Sequence, residues 1–427
     1  MSRHTITPAS VGLVLLSLLF IEARVAHAAE TSVWTLDAAA RQALTVAPEI
    51  REASAEVAAR EGALTQAGAW PNPSIDLRAD QKLGVEDGNG GTDLTQVVIT
   101  QPLPLTRLAS QRHQAEAQLA AARERLRYVR IARETEAARV FHGLQLAQAR
   151  LTLAKQRVAF VAGLEPASTR RSDRVVRYLT PLERARLAIL HEAAEQEVTS
   201  AEGKYSEAAA QFRALLAIGP EATPQTALLA PPSPPPPLDE LLKGLDAHPA
   251  LVADDQDIEA ARAGIDVARA SRFADPTLGV FRERDFLNGA RRDYNGVMLS
   301  VQVPLWNLNS GGVARAQAET DQARERRTAQ RRELETRLRQ AWLHLGHLIE
   351  QAERYRERLL GPARRMLELA RRGLETGESN VLALVDAYNT YFDAEVRYLE
   401  LLQESWQEAA ELRLAAGVAL NQAEAIP

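Results

Sequence analysis

The sequence predicts a mainly helical chain with a small β part, in which long coiled-coil helices carry four short strands. Three observations lead there. The composition is 46% hydrophobic and 25% charged but only 5% aromatic, with alanine the commonest residue, which suits long helices packed closely together. The 21 prolines fall in a few clusters and leave the stretches 105–165, 305–361 and 363–426 free of them. The chain is also written twice.

Taken in order, residues 1–28 read as a secretory leader: Arg3 and His4, an apolar run from Val11 to Ile21, then Ala26-His27-Ala28 before a cut. Beyond it no apolar run approaches the ~20 residues of a membrane helix. The absence of cysteine excludes disulfides, thiolate metal sites, cysteine nucleophiles and a lipid-anchored amino terminus. The mature chain then divides into a first repeat (29–230), a Pro-rich linker (231–237) and a second repeat (238–427).

Each repeat opens with proline at the head of a helical stretch, Ala47-Pro48-Glu49 in the first and His248-Pro249-Ala250 in the second. The stretches end at Trp70-Pro71-Asn72-Pro73 and Phe273-Ala274-Asp275-Pro276. Two alternating runs follow in each half, predicting strands at about 74–82 and 94–103, then at about 277–285 and 294–303. A glycine-rich turn, Gly84 to Gly91, separates the first pair, and Asn288-Gly289 lies between the second. Val98-Ile99-Thr100-Gln101-Pro102-Leu103-Pro104-Leu105 aligns with Met298-Leu299-Ser300-Val301-Gln302-Val303-Pro304-Leu305 at one constant offset. A long proline-free helix and a return helix complete each half. Their apolar positions follow helical spacing: Leu334, Leu338, Trp342, Leu345 and Ile349 on one face, and Val385, Tyr388, Phe392, Leu399, Leu402, Trp406 and Ala409 along a heptad seam broken by Glu395.

Runs of this length suit strands that cross hydrocarbon at a tilt. Four strands cannot close a membrane barrel, and open edges in lipid strand backbone N–H and C=O groups, so several chains must pool their strands. Trp70 before the first strand and Trp306 after the last stand where an interfacial aromatic girdle belongs.

With its repeat, its Trp-Pro-Asn-Pro and Thr-Gln-Pro-Leu-Pro-Leu motifs, its Val-Pro-Leu-Trp-Asn motif and the stretch from Arg372-Gly373-Leu374-Glu375-Thr376-Gly377 to Leu382-Ala383-Leu384-Val385-Asp386-Ala387, the chain resembles the TolC-like outer-membrane factors over roughly Leu36 to Ala419. Within that family it is similar to the CzcC-like branch serving heavy-metal cation pumps, although Thr106-Arg107-Leu108 stands where that branch often has a Gly-Gly-Lys-Arg turn. The resemblance implies a homotrimer with a 12-stranded transmembrane β-barrel in the outer membrane and an α-barrel tunnel across the periplasm. It implies a passive conduit for efflux of heavy-metal cations, partnered by a periplasmic adaptor and an inner-membrane pump of the RND type. Asp76, Arg78 and Asp80 would then face the lumen. Asp386 would sit at the periplasmic gate, and Gly373, Leu374 and Gly377 with Tyr178, Leu179 and Thr180 would form the adaptor-contact tips.

No enzyme chemistry stands out. His344 and His347 with Glu350 have a spacing that suits a cation, but no facing ligands complete it, so a surface helix is expected. Gly311-Gly312 lacks the Lys-Ser or Lys-Thr of a phosphate loop, and no serine–histidine–acid set appears. Neither a cofactor nor a nucleic-acid partner is expected of an exported chain of net charge −5. Two other readings remain at this level: an exit duct for drugs or type I protein secretion, and a non-pore periplasmic coiled-coil adaptor. An adaptor would place one helical hairpin inside β domains, whereas here two hairpins each lie between helices.

Overall fold

The structure, a computed structural model, describes residues 33–81, 93–167, 180–287 and 290–420. The leader, the Gly84 to Gly91 turn, Asn288-Gly289, Tyr178 and Leu179 fall outside these residues.

After a two-residue strand β1 (Val33–Trp34), the first repeat runs α1 (Leu36–Val46), α2 (Pro48–Ala67), β2 (Ser74–Gln81), β3 (Asp93–Pro102), α3 (Leu108–Ala167) and α4 (Pro181–Leu216). A second short strand, β4 (Gln225–Thr226), pairs parallel with β1. Across the linker come α5 (Leu238–Gly244), α6 (Pro249–Ala270), β5 (Thr277–Leu287), β6 (Ala290–Ser300), α7 (Ser310–Tyr355), α8 (Gly361–Thr376) and α9 (Val381–Ala416). The 60 residues of α3 make a rod of about 90 Å at ~1.5 Å per residue.

Strands β2, β3, β5 and β6 form one antiparallel sheet in that order. The helices joined to them, α2, α3, α6 and α7, pack side by side in the same order. Farther from the sheet the row becomes α4, α3, α9 and then α7 with α8. Strand layer and helix layer are therefore one continuous, open-sided slab. Its junctions are locked within and across the repeats: the Gln101 amide donates to the Pro71 carbonyl at 2.8 Å inside the first repeat, and the Leu103 N–H bonds the Pro276 carbonyl of the second at 2.8 Å. Arg107, in the segment that departs from the CzcC-like turn, pairs with the nearly buried Asp275 at 2.7 Å.

Three strand ends differ from the sequence expectation. The fourth strand ends at Ser300 rather than 303, because Ser300 pairs with Thr277, the first residue of β5, and Pro276 beyond it has no N–H to offer. Its start moves back to Ala290, and β5 runs on to Leu287, because the two strands pair up to Leu287 opposite Ala290. Pro362, expected to mark a boundary, does not stop the helix. A π turn at Arg356–Leu360 widens the coil, the Gly361 N–H bonds back five residues to Arg356, and α8 continues with proline in its first turn, where an N–H is not needed.

The core is a set of local clusters along the slab. One joins Ala39, Ala40 and Ala43 of α1 to Ala137, Phe141 and Leu144 of α3 and Phe212 and Leu216 of α4. Its counterpart in the second repeat gathers Leu241, Leu245, Leu251, Leu334, Leu338, Leu345 and Leu412. Alanine at so many contacts lets backbones approach closely. The linker is strapped over the bundle by two tryptophans: the Trp342 indole donates to the Pro236 carbonyl at 2.8 Å and the Trp406 indole to the Ala230 carbonyl at 2.6 Å.

Beside the second strap, the buried His142 ring stacks on Trp406 at 4.5 Å and hydrogen-bonds the Gln145 side chain at 2.8 Å. Burial pushes its pKa down from 6.5 to about 4. As pH falls, the unfolded chain takes up this proton first, so stability present above 6.5 is lost between 6.5 and 4, by about 3 kcal/mol. His142→Phe keeps a stacked ring without a titrating group. Thermal unfolding of the variant should therefore depend less on pH in that window than the native protein's; equal slopes would refute the neutral buried ring.

Candidate functional site

The register sorts the sheet into two unlike faces. On one face Leu278 lies opposite Leu299, the next row holds Ile75, Ile99, Val280 and Val297, and the next begins Leu77, Val97. These side chains are exposed, Leu77 at 76%. The last-named row ends in Arg282 and Asn295, and Arg284 faces Asp293 beyond it. The other face is mostly polar, carrying Ser74, Thr100, Asp76, Arg78, Gln96, Glu283 and Tyr294 with Val98, Phe281 and Met298 among them. It is knitted by Ser74 Oγ to Thr100 Oγ1 at 2.5 Å and by the Gln96 amide donating to Glu283 at 3.0 Å. Gly296 is needed here for space: a Cβ would lie 2.3 Å from the Phe281 ring. Asp76 and Arg78 thus share the polar face, whereas the Asp80 side chain lies outside the described residues. An apolar, solvent-exposed face backed by a polar one is the pattern of a strand set between lipid and an aqueous lumen. Trp70 and Trp306, the latter 92% exposed, stand at the seam between strands and helices.

At the opposite end, helix-capping chemistry builds a compact tip. Gly377 closes α8 with φ 84°, its N–H reaching the Leu374 carbonyl, while the Ser379 N–H bonds the Gly373 carbonyl at 2.9 Å. A Cβ on Gly373 would come within 2.9 Å of the Ser379 Cβ. Asn380 caps α9, and Thr180 caps α4 through a reciprocal pair with Glu183. Leu374 packs in one cluster with Leu187, Val381, Leu384, Phe160 and Leu367. The structure therefore brings Gly373, Leu374 and Gly377 to the same end as the Thr180 helix start.

Asp386 is exposed one turn above the start of α9, on a groove of about 280 Å³ that Glu183, Arg186 and Asn389 also line. Nearby is a residue that sequence reading missed. Arg157 of α3 donates to Glu197 of α4 at 2.5 Å and to Asn389 of α9 at 2.9 Å, tying three helices with one half-buried guanidinium. Just along α3 the Phe160 ring stacks on Tyr388 at 3.7 Å. Nothing local marks Arg157, since arginine is frequent along every polar helix face of this chain. Its importance lies in what faces it.

No group of residues fit to hold a metal ion occurs among the described residues. His344 lies 3.0 Å from Glu408, His347 is exposed, and Glu350 pairs with Arg354.

Residues 39–217 and 243–418 match the family model for the outer membrane efflux protein. The chain belongs to that family. It is 28% identical over 385 residues to the cobalt-zinc-cadmium resistance protein CzcC of Cupriavidus metallidurans, covering 88% of each. Solved folds agree. The chain superposes on CusC with a TM-score of 0.68 (18% identity, 90% of this chain, 92% of that one). For the open state of the MtrE outer membrane channel of Neisseria gonorrhoeae the TM-score is 0.69 (16% identity, 91% and 90%). The resemblance read from the repeat and its prolyl motifs is thus upheld. This is an efflux channel of the outer membrane with a long periplasmic helical part, from a transport family.

Gly377→Ala forces an L side chain into the left-handed region, at a cost of about 1 kcal/mol. Limited proteolysis should cut the tip of this variant faster, with the heat resistance of the remaining protein unchanged. Unaltered cleavage would mean that the tip is not held by this turn.

Proposed function

We propose that three copies close a 12-stranded barrel and a twelve-helix tunnel, forming a passive conduit that carries heavy-metal cations across periplasm and outer membrane. One observation carries the reading: strands and helices run in the same open-sided order, β2-β3-β5-β6 over α2-α3-α6-α7, so the edge of one copy is complementary to the opposite edge of the next. Asp76 and Arg78, with Asp80 by alternation, line the lumen, and Trp70 and Trp306 form the lower aromatic girdle. Residues 1–28 are removed on export. The tips at Gly373, Leu374, Gly377 and Thr180, with Tyr178 and Leu179 before it, receive a periplasmic adaptor. That adaptor couples the channel to an inner-membrane pump of the RND type, which supplies the energy, and the channel itself catalyses no reaction. The likeness to a cobalt-zinc-cadmium resistance protein supports divalent cations as cargo.

Because the chain has no cysteine, closure can be read directly. Leu77→Cys on β2, combined in turn with single cysteines along β6, should give disulfide-linked dimers and trimers in outer membranes. Monomers at every position would sink the pooled barrel. Cargo is tested by growth of a deletion strain on cobalt, zinc and cadmium salts; unchanged tolerance to all three would remove the metal assignment.

At the lower end, Arg157 is the contact whose loss should free the coils around Asp386 without touching the barrel. Arg157→Ala should raise the resting conductance of the protein in planar bilayers several-fold, each of its two hydrogen bonds, to Glu197 and to Asn389, being worth about 1 kcal/mol to the closed state. Unchanged conductance would place the constriction elsewhere.

A further inference from the structure

We propose that the outward end of β5–β6 is a binding site for a phosphate-bearing glycolipid of the outer leaflet, with Arg282 and Arg284 as its anion-binding pair. The inference rests on the barrel reading above, which turns the apolar face of the sheet toward lipid. On that face the rows Leu278–Leu299 and Ile75–Ile99–Val280–Val297 give way to Arg282 and Asn295, then to Arg284 and Asp293. A charge on the lipid face is tolerated only near the membrane surface, so the Arg282 row marks the edge of the hydrocarbon. The hairpin ends point away from the periplasmic helices, so this is the outward edge.

Among the described side chains the local charge is unbalanced. One carboxylate serves two guanidiniums: Arg282 Nη2 donates to Asp293 Oδ2 at 3.0 Å, and Arg284 donates through Nε to Oδ1 at 2.8 Å and through Nη2 to Oδ2 at 3.3 Å. Among the described residues, Arg282 Nε and Nη1 and Arg284 Nη1 have no acceptor. Both side chains are more than half exposed. Two adjacent forks with unused donors suit the oxygens of a phosphate. A free phosphate would gain only those bonds. A lipid gains them and also lays its acyl chains along Val280, Val297 and Ile99, one row below. The Glu283 and Tyr294 side chains belong to the other face and do not oppose it.

The test uses full-length protein extracted from outer membranes in detergent. Binding of bisphosphorylated lipid A is compared with binding of the same lipid after removal of its phosphates, with inorganic phosphate as competitor. The native protein should prefer the phosphorylated lipid by about tenfold. The double variant Arg282→Gln, Arg284→Gln should lose that preference. Asp293→Asn frees both guanidiniums and should increase it, where a merely structural ion pair would show a decrease. A preference retained by the double variant, or lost in Asp293→Asn, would overturn the site. Complete displacement by inorganic phosphate would make it a free-phosphate site and overturn the lipid. Recovery of the chain without detergent would instead overturn the barrel reading itself.

Discussion

An unpaired strand edge in hydrocarbon is the constraint on which this structure turns. Each backbone group left without a partner there costs several kcal/mol, and β2 and β6 each present a full row of them. A single copy cannot remain in a bilayer in this form. Closure by further copies removes every edge at once, and the helices are bound to the same arithmetic because each grows from a strand. The order α2, α3, α6, α7 is inherited from β2, β3, β5, β6. A tunnel beneath the barrel is thus a consequence of sheet closure rather than a second design.

That inheritance needs stiff junctions. A flexible loop between strand and helix would let the two layers close independently. The prolines prevent it: Pro71, Pro73, Pro102, Pro104, Pro276 and Pro304 restrict the chain where strand becomes helix, and the Pro71 carbonyl receives the Gln101 amide within the first repeat while the Pro276 carbonyl receives the Leu103 N–H across the two. Arg107 and Asp275 add an ion pair with one partner almost dry, which makes the junction sensitive to the loss of either side chain. The Thr106-Arg107-Leu108 segment therefore does structural work across the two repeats.

Most of this architecture could be read from the sequence because it is written in period and punctuation. The four strands, the paired prolyl helix starts and the long rods all follow from alternation, three-and-four spacing and proline. The division of the sheet into two faces was legible for the same reason, since Asp76 and Arg78 alternate with Ile75 and Leu77. What was not legible depends on partners far away in the chain. In the sequence Arg157 looks like every other arginine of the helices, and what sets it apart is that it faces Glu197 and Asn389 on two different helices. The indoles of Trp342 and Trp406 looked like seam residues, and their bonds to the linker appear only once the linker is laid across α7 and α9. The π turn before Pro362 was invisible because a proline after a helix ordinarily reads as its end.

The two ends of the slab are also held by different forces, and this decides where it can move. Beside the linker, α7 and α9 are fixed by two indole bonds, a leucine cluster and the buried His142–Trp406 stack. Toward the tip the contacts divide into smaller clusters, around Leu153, Tyr388 and Phe392, around Leu360, Ala363 and Ala394, and around Leu187, Val381 and Leu384, with the Phe160–Tyr388 stack and the Arg157 bonds. Polar bonds such as those of Arg157 contribute only modestly net, because their groups bond to water when released. The π turn at Arg356–Leu360 lies on the boundary between the two regimes, where a widened coil with one looser ladder can bend. Motion of α8 and α9 below that point leaves the strapped belt, and hence the barrel closure above it, undisturbed. A conduit that opens at one end while staying sealed in lipid at the other requires that division of labour.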